Sequence, residues 1–272
     1  MIGLIIISIF CVGIIITALV SVLRISFLQI DTVMITGDND LTPSLRKDIQ
    51  EKSLSLLEGK YIYSIPRSNI LFFPKDDIKK AVMNDFKEIE SVKVRRGGLS
   101  SIILSLKSRS PVAIVCSGFH EEKATNENCF YTDAHAYVYA PLLVGSTTPT
   151  SQVNQYKRYY VPTDRAEIVT GVRFIDEGLF KDLQVFLDGA IKGGLLPLGV
   201  LIGDDGEYEM YTQGGTTVYF DAKTPLTTSL SNLLTFWQND RNGGIKSMKA
   251  TSTAPFDYIN LHFGNTIYYS RQ

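Results

Sequence analysis

The chain has 272 residues, with 27 Lys plus Arg against 28 Asp plus Glu, 44% hydrophobic residues, 20% charged residues and three cysteines. That length allows one large or two small domains, and that apolar content excludes a mainly disordered chain. The net charge of −1 denies it the basic excess that neutralises nucleic-acid phosphates. Three cysteines without paired C-x₂₋₄-C spacing exclude a zinc ribbon or a disulfide-built scaffold.

From Ile2 to Leu23 the chain carries no charge and no proline. At ~1.5 Å per residue such a run spans about 33 Å, against a bilayer core of ~30 Å. Every face is apolar, which suits lipid better than the two-sided environment of a surface helix. A cleaved secretion signal has a shorter apolar segment behind a basic region, which is missing here. The expectation is an uncleaved transmembrane signal anchor over residues 1–24, touching the lipid bilayer through residues 2–23. Arg24 follows the run and votes for a cytoplasmic C-terminal side, but a domain of this size translocates largely regardless of one charge.

Charge divides the remainder. Residues 25–115 hold 14 Lys/Arg and 11 Asp/Glu, while 116–272 hold 12 and 17, a change of sign that predicts a domain boundary near Pro111. The first domain, 25–111, opens with alternation over Ile30 to Thr36, a strand ending at the Gly37-Asp38-Asn39 turn. Thr42 is a good N-cap and Pro43 a preferred first helical residue. Leu45, Ile49, Ser53 and Leu56 then keep one helical face up to Gly59. Tyr61 to Phe73 is apolar without helical spacing. A second helix follows Pro74, with Ile78, Val82 and Phe86 in register. Strands Ile89 to Arg96 and Leu99 to Lys107 close the domain, joined at Gly97-Gly98. The order is β-α-α-β-β.

In 112–272, apolar runs flank Cys116 and Cys129, which bracket a loop. If the flanking strands Val112 to Val115 and Phe130 to Tyr131 neighbour each other, the two cysteines form a disulfide in an oxidising compartment, and the alternative is a pair of reduced core residues. Leu142 to Gln155, rich in Ser, Thr and Gln, reads as a loop. Leu183, Phe186, Leu187 and Ala190 mark a helix over Leu179 to Ile191. Glu207 to Gln213 and Thr216 to Asp221 alternate around Gly214-Gly215 and predict a hairpin. Pro225 opens a helix striped by Leu226, Leu230, Leu233, Leu234 and Trp237. Gly264-Asn265 turns Tyr258 to Phe263 back as Thr266 to Tyr269. Plain alternation puts Ile259, Leu261 and Phe263 on one face and Tyr258, Asn260 and His262 on the other.

Chemistry is sparse. His120 and His135, with Glu121, Glu122, Cys116 and Cys129, lack helical metal-ligand spacing and read as a solvated loop. Asp204-Asp205-Gly206-Glu207 with Glu209 lacks the EF-hand order and reads as an acidic turn. Gly193-Gly194 and Gly243-Gly244 are isolated pairs at helix ends. No nucleophile elbow, zinc helix or phosphate loop occurs, so neither a catalytic site, a cofactor, a metal nor a small-molecule substrate is expected. A membrane-anchored cell-wall enzyme would need converging carboxylates in a cleft.

Several stretches together resemble the FtsQ/DivIB cell-division family. Ile35-Thr36-Gly37, Leu57-Glu58-Gly59-Lys60-Tyr61-Ile62-Tyr63, Ile89 to Arg96 and Arg109-Ser110-Pro111-Val112-Ala113 are similar to its POTRA domain, with Ser108 where that pattern has Glu. Phe130-Tyr131-Thr132-Asp133 with Val138-Tyr139-Ala140 resembles a hairpin of its β domain. Tyr258 to Asn265 with Thr266-Ile267-Tyr268-Tyr269 is similar to its terminal "YIDLRFGNKVYY" hairpin, with Asn260 for Asp and His262 for Arg. The pattern departs at the N-terminus, where that family carries a basic cytoplasmic tail.

The resemblance implies an α+β chain: a transmembrane helix, a POTRA domain, then a mainly antiparallel β domain with flanking helices, both domains extracytoplasmic. It implies a non-enzymatic divisome scaffold at the septum, in a single-pass membrane topology, whose partners are other single-pass division proteins. It also implies that the last strand receives a β segment of a partner, so Tyr258, Thr266, Ile267, Tyr268 and Tyr269 are the candidate partner-binding residues. The alternative is a POTRA component of a transport or secretion assembly, which a following lipid-facing barrel would mark.

Overall fold

The computed structural model describes residues 2–37, 41–61, 65–118, 128–142, 155–162, 168–243, 256–264 and 266–271, and their side chains except at 2–6, 19 and 240–243. The Asp38-Asn39 turn, Ile62-Tyr63, the loop with His120, Glu121 and Glu122, most of the 142–155 loop, Gly244 and Asn265 lie outside the described residues. The chain forms two compact units, Met1–Arg109 and Ser110–Gln272, both of mixed α+β composition.

Unit 1 begins with helix α1 (Ile2–Leu23), 22 residues long. Among the described residues no helix is long and apolar enough to cross a membrane, so the span expected over residues 2–23 stands on sequence alone. Strand β1 (Thr32–Gly37) leads into α2 (Pro43–Ser55), where the Thr42 side chain accepts a hydrogen bond from the Leu45 amide. That cap satisfies one of the amides every helix start leaves without a partner. Within the apolar stretch without helical spacing, β3 (Ile65–Pro66) pairs antiparallel with β2 (Lys60–Tyr61). Helix α3 (Lys75–Asp85) and strands β4 (Ile89–Arg96) and β5 (Ser101–Ser108) complete the unit.

The sheet order is β1-β5-β4, with β1 parallel and β4 antiparallel to β5. Ile102, Leu104 and Leu106 alternate inward from β5 and pack with Ile49 of α2 and with Ile78 and Val82 of α3 in one core. Gly37 sits at φ +121°, and a Cβ there would collide with the Leu106 carbonyl oxygen of the neighbouring strand. Only glycine both adopts that conformation and lets the two backbones approach.

Unit 2 is built on a nine-stranded sheet. Its strands are β6 (Ala113–Ser117), β7 (Cys129–Thr132), β8 (Val138–Pro141), β9 (Lys157–Val161), β10 (Pro197–Ile202), β11 (Glu207–Thr212), β12 (Thr217–Asp221), β13 (Phe256–Phe263) and β14 (Thr266–Arg271). They lie in the order β14-β13-β12-β11-β10-β9-β6-β7-β8. The sheet is mixed: β12 runs parallel to β13, and β9 runs parallel to both β10 and β6, while the other neighbours are antiparallel.

Helices α4 (Glu177–Lys192) and α5 (Leu226–Gly243) carry the main core against this sheet. Leu183, Phe186 and Leu187 of α4 and Leu233 and Trp237 of α5 pack with Val200, Met210, Val218 and Ile259. The helices pack closely because Gly189 and Gly193 leave room for Leu230 and Leu234, whose side chains occupy the space where Cβ atoms would be. A smaller cluster of Ile114, Cys116, Cys129, Leu142 and Tyr160 forms separately. Within it Cys116 and Cys129 sit opposite each other on β6 and β7 and are joined by a disulfide with Cα atoms 4.1 Å apart.

Candidate partner-binding edge

Strand β14 ends the large sheet, and β13 is its one ladder neighbour among the described residues. The opposite end differs. There the β8 backbone is covered by a following segment: the Val138 amide donates to the Val172 carbonyl and the Gly171 amide to the Val138 carbonyl, at 2.8 and 2.7 Å. Among the described residues the outer edge of β14 is left without a covering segment, and an open edge presents backbone donors and acceptors to another strand.

The hairpin is held from three directions. The Asn232 side chain of α5 donates to the Gly264 carbonyl at 2.9 Å, which fixes the turn. The Thr216 hydroxyl donates to the Phe256 carbonyl at 2.9 Å, at the start of β13. Phe236 of α5 lies 5.1 Å from the Tyr269 ring and 5.3 Å from the Phe256 ring, centroid to centroid. Helix and sheet therefore set the position of the edge.

Register places the candidate residues on two faces. Met210, Val218, Ile259 and Tyr269 are successive cross-strand partners, and this row faces the helices. Ile267 shares that side and packs against the core. Glu209, Tyr219, Asn260 and Tyr268 form the adjacent row on the opposite face, and Tyr211, Thr217, Tyr258 and Ser270 the next. Tyr268 above and Tyr269 below thus straddle one backbone edge, 53% and 46% exposed.

The alternation expected for β13 fails at its end. Ile259 and Leu261 are buried, but Phe263 is 59% exposed and meets Tyr268 edge-on, with ring centroids 4.9 Å apart. The register explains it: Asn260 pairs with Tyr268 and Phe263 with Thr266, so Leu261 and His262 together oppose Ile267 alone. This extra residue is a β-bulge, which shifts the phase of every side chain beyond it. A second irregularity leaves Asp257 extra between Phe256 and Tyr258. Both extra residues belong to β13, so β14 itself keeps an unbroken alternation.

Phe263 and Tyr219 are the site residues that alternation alone misses. Tyr219 lies 6.1 Å from Tyr258, and burial first, then the nearby Glu209 carboxylate and Tyr258, pushes its phenol above the usual value. It therefore presents a neutral O–H at physiological pH. Glu209 also accepts a 2.6 Å hydrogen bond from the Tyr211 hydroxyl. The face beside the edge is aromatic with polar tips, a composition enriched in protein interfaces.

Among the described residues no three His, Cys, Asp or Glu side chains gather as a metal site would require; His120, Glu121 and Glu122 lie outside them. Cys116 and Cys129 are consumed in the disulfide. His135 instead binds Glu177 through Nδ1 at 2.8 Å, tying the β7–β8 turn to the first turn of α4. Asp204 to Gly206 is a single 3-10 turn joining β10 to β11, with Asp205 at φ 54°. Comparison with protein-family models finds no match, and neither does comparison with curated proteins.

Proposed function

We propose that this chain is a non-enzymatic scaffold of the cell-division machinery, held in the cell membrane by residues 2–23, with both folded units outside it. It recruits single-pass division proteins by accepting a β-strand of the partner along the outer edge of β14. The observation that carries the reading is the β14 edge, which no described residue covers, flanked by Tyr268 on one face and Tyr269 on the other. Backbone pairing supplies affinity in strand addition, and side-chain contacts on the two faces supply selectivity. The disulfide between Cys116 and Cys129 supports placement in an oxidising compartment. The division assignment rests on the sequence resemblance described above.

A photo-reactive phenylalanine analogue in place of Tyr268 tests the reading in growing cells. Irradiation is expected to trap a single-pass membrane protein, and the same analogue in place of the exposed Asp182 on α4 is expected not to. Identical adducts from both positions would refute an edge-specific partner.

A further inference from the structure

We propose that the end of unit 1 adjoining α1 is a membrane-seating face, which sinks apolar side chains among the lipid headgroups and fixes how the unit stands on the bilayer. The proposal rests on the anchor reading of residues 2–23. Strand directions define this end: β1 and β5 are parallel and both begin here, while β4, antiparallel to β5, finishes here. Exposed apolar side chains concentrate at the same place. Phe27 is 62% exposed, Phe72 and Leu99 are each 52% exposed, and Ile25 and Leu71 are similar. Each lies in a connector or hairpin tip at this end, where a water-facing surface would carry polar residues.

Hydrogen bonds tie these segments to the end of α1. The Asn69 side chain, fully buried, donates to the Leu23 carbonyl at 2.8 Å and accepts from the Leu71 amide at 2.9 Å. The Ile70 amide donates to the Leu28 carbonyl at 2.9 Å, and Arg96 donates to the Leu71 carbonyl at 3.1 Å. The Asp31 amide donates to the Ser100 carbonyl, which brings the tip bearing Leu99 to the same base. The Leu71 and Phe72 amides both donate to Asn69, which ties their backbone to the Leu23 carbonyl at the end of α1. If α1 spans the bilayer, its end lies at the headgroup boundary, and these side chains lie there with it.

The occupant is therefore the bilayer surface that α1 itself enters. An interfacial segment buries its apolar face roughly 5–10 Å into the headgroup and acyl boundary, with basic side chains reaching phosphates. Arg24 follows α1, and Arg96, which ends β4, donates to the Leu71 carbonyl at this end; long basic side chains reach phosphates while their stems stay in apolar surroundings.

The test uses the full chain carrying Cys11→Ser, so that the disulfide pair leaves no other reactive thiol, in nanodiscs of phosphatidylcholine and phosphatidylglycerol. Nitroxide labels are attached singly at Phe72→Cys, Leu99→Cys, Ile14→Cys and Lys47→Cys. Lys47 is exposed in the first turns of α2, which starts at the far end of the sheet. Oxygen concentrates in lipid and a nickel chelate stays in water, so the ratio of their collision rates reports immersion. The ratio at 72 and 99 is expected to exceed that at 47 several-fold and to stay below that at 14. Ratios at 72 and 99 equal to that at 47, with 14 immersed, overturn the seating face and leave the anchor standing. A water-like ratio at 14 overturns both.

Discussion

Reducing the disulfide between Cys116 and Cys129 gives a stability change whose size follows from the chain alone. The two cysteines are 13 residues apart, so the bond closes a loop of about 14 residues in the unfolded chain. Loop-closure entropy for that length is about 10 cal/mol/K, or ~3 kcal/mol at 25 °C. For a domain the size of unit 2, each kcal/mol moves the midpoint by about 2–4 °C, so reduction should lower Tm by roughly 6–12 °C. Trp237 makes the assay specific, because it is the one tryptophan in the sequence and lies in the core of unit 2. Its fluorescence follows thermal unfolding of the full chain in detergent, with and without reductant. Cys116→Ala with Cys129→Ala should lose at least as much, since both side chains also fill the cluster with Ile114 and Leu142. A shift below about 2 °C on reduction would refute the loop-closure reasoning.

Gly37→Ala should destabilise unit 1 by about 1–3 kcal/mol or more, because a side chain is forced into an unfavourable φ and against the Leu106 carbonyl; urea unfolding followed by hydrogen exchange in β5 measures it. Asn69→Ala removes the bonds to Leu23 and Leu71 and should cost about 1–3 kcal/mol, with faster hydrogen exchange of the Ile70 and Leu71 amides as the readout. Glu177 is held down at about 2 from an ordinary 4.5, by its hydrogen bond from Lys181 first and then by His135. A lowered folded-state pKa stabilises above about 4.5, and that contribution is lost as pH falls toward 2. Glu177→Gln should therefore lower the neutral-pH midpoint slightly and flatten its decline across that acid window.

Local structure was legible where a residue's own chemistry set it. Thr42 and Pro43 start α2, Gly214-Gly215 turns β11 into β12, and the Leu226 to Trp237 stripe is the buried side of α5. Long-range pairing was not legible. That β9 lies between β6 and β10, or that β12 runs parallel to β13, depends on which strands meet after the helices pack. The candidate edge was half legible. The adjacent Tyr268 and Tyr269 must occupy opposite faces in any strand, but Phe263 was assigned to the wrong one. Nothing in Leu261-His262 announces a bulge, because a bulge arises from the fit between two strands. Asn69 was passed over because its partner, the Leu23 carbonyl, is distant in sequence and carries no side-chain signature.

Strand addition is tested most directly by proline at the edge. Neighbouring residues of a strand point their amides to opposite sides, so one of Ile267→Pro and Tyr268→Pro removes an outward donor and the other an inward ladder bond. Each variant is expressed as the tagged full chain, its folding checked by the Trp237 melt, and the partner captured from dividing cells is quantified. One of the two should keep the wild-type melt and lose the partner. If both keep the melt and both retain the partner at wild-type levels, β14 is not the docking strand.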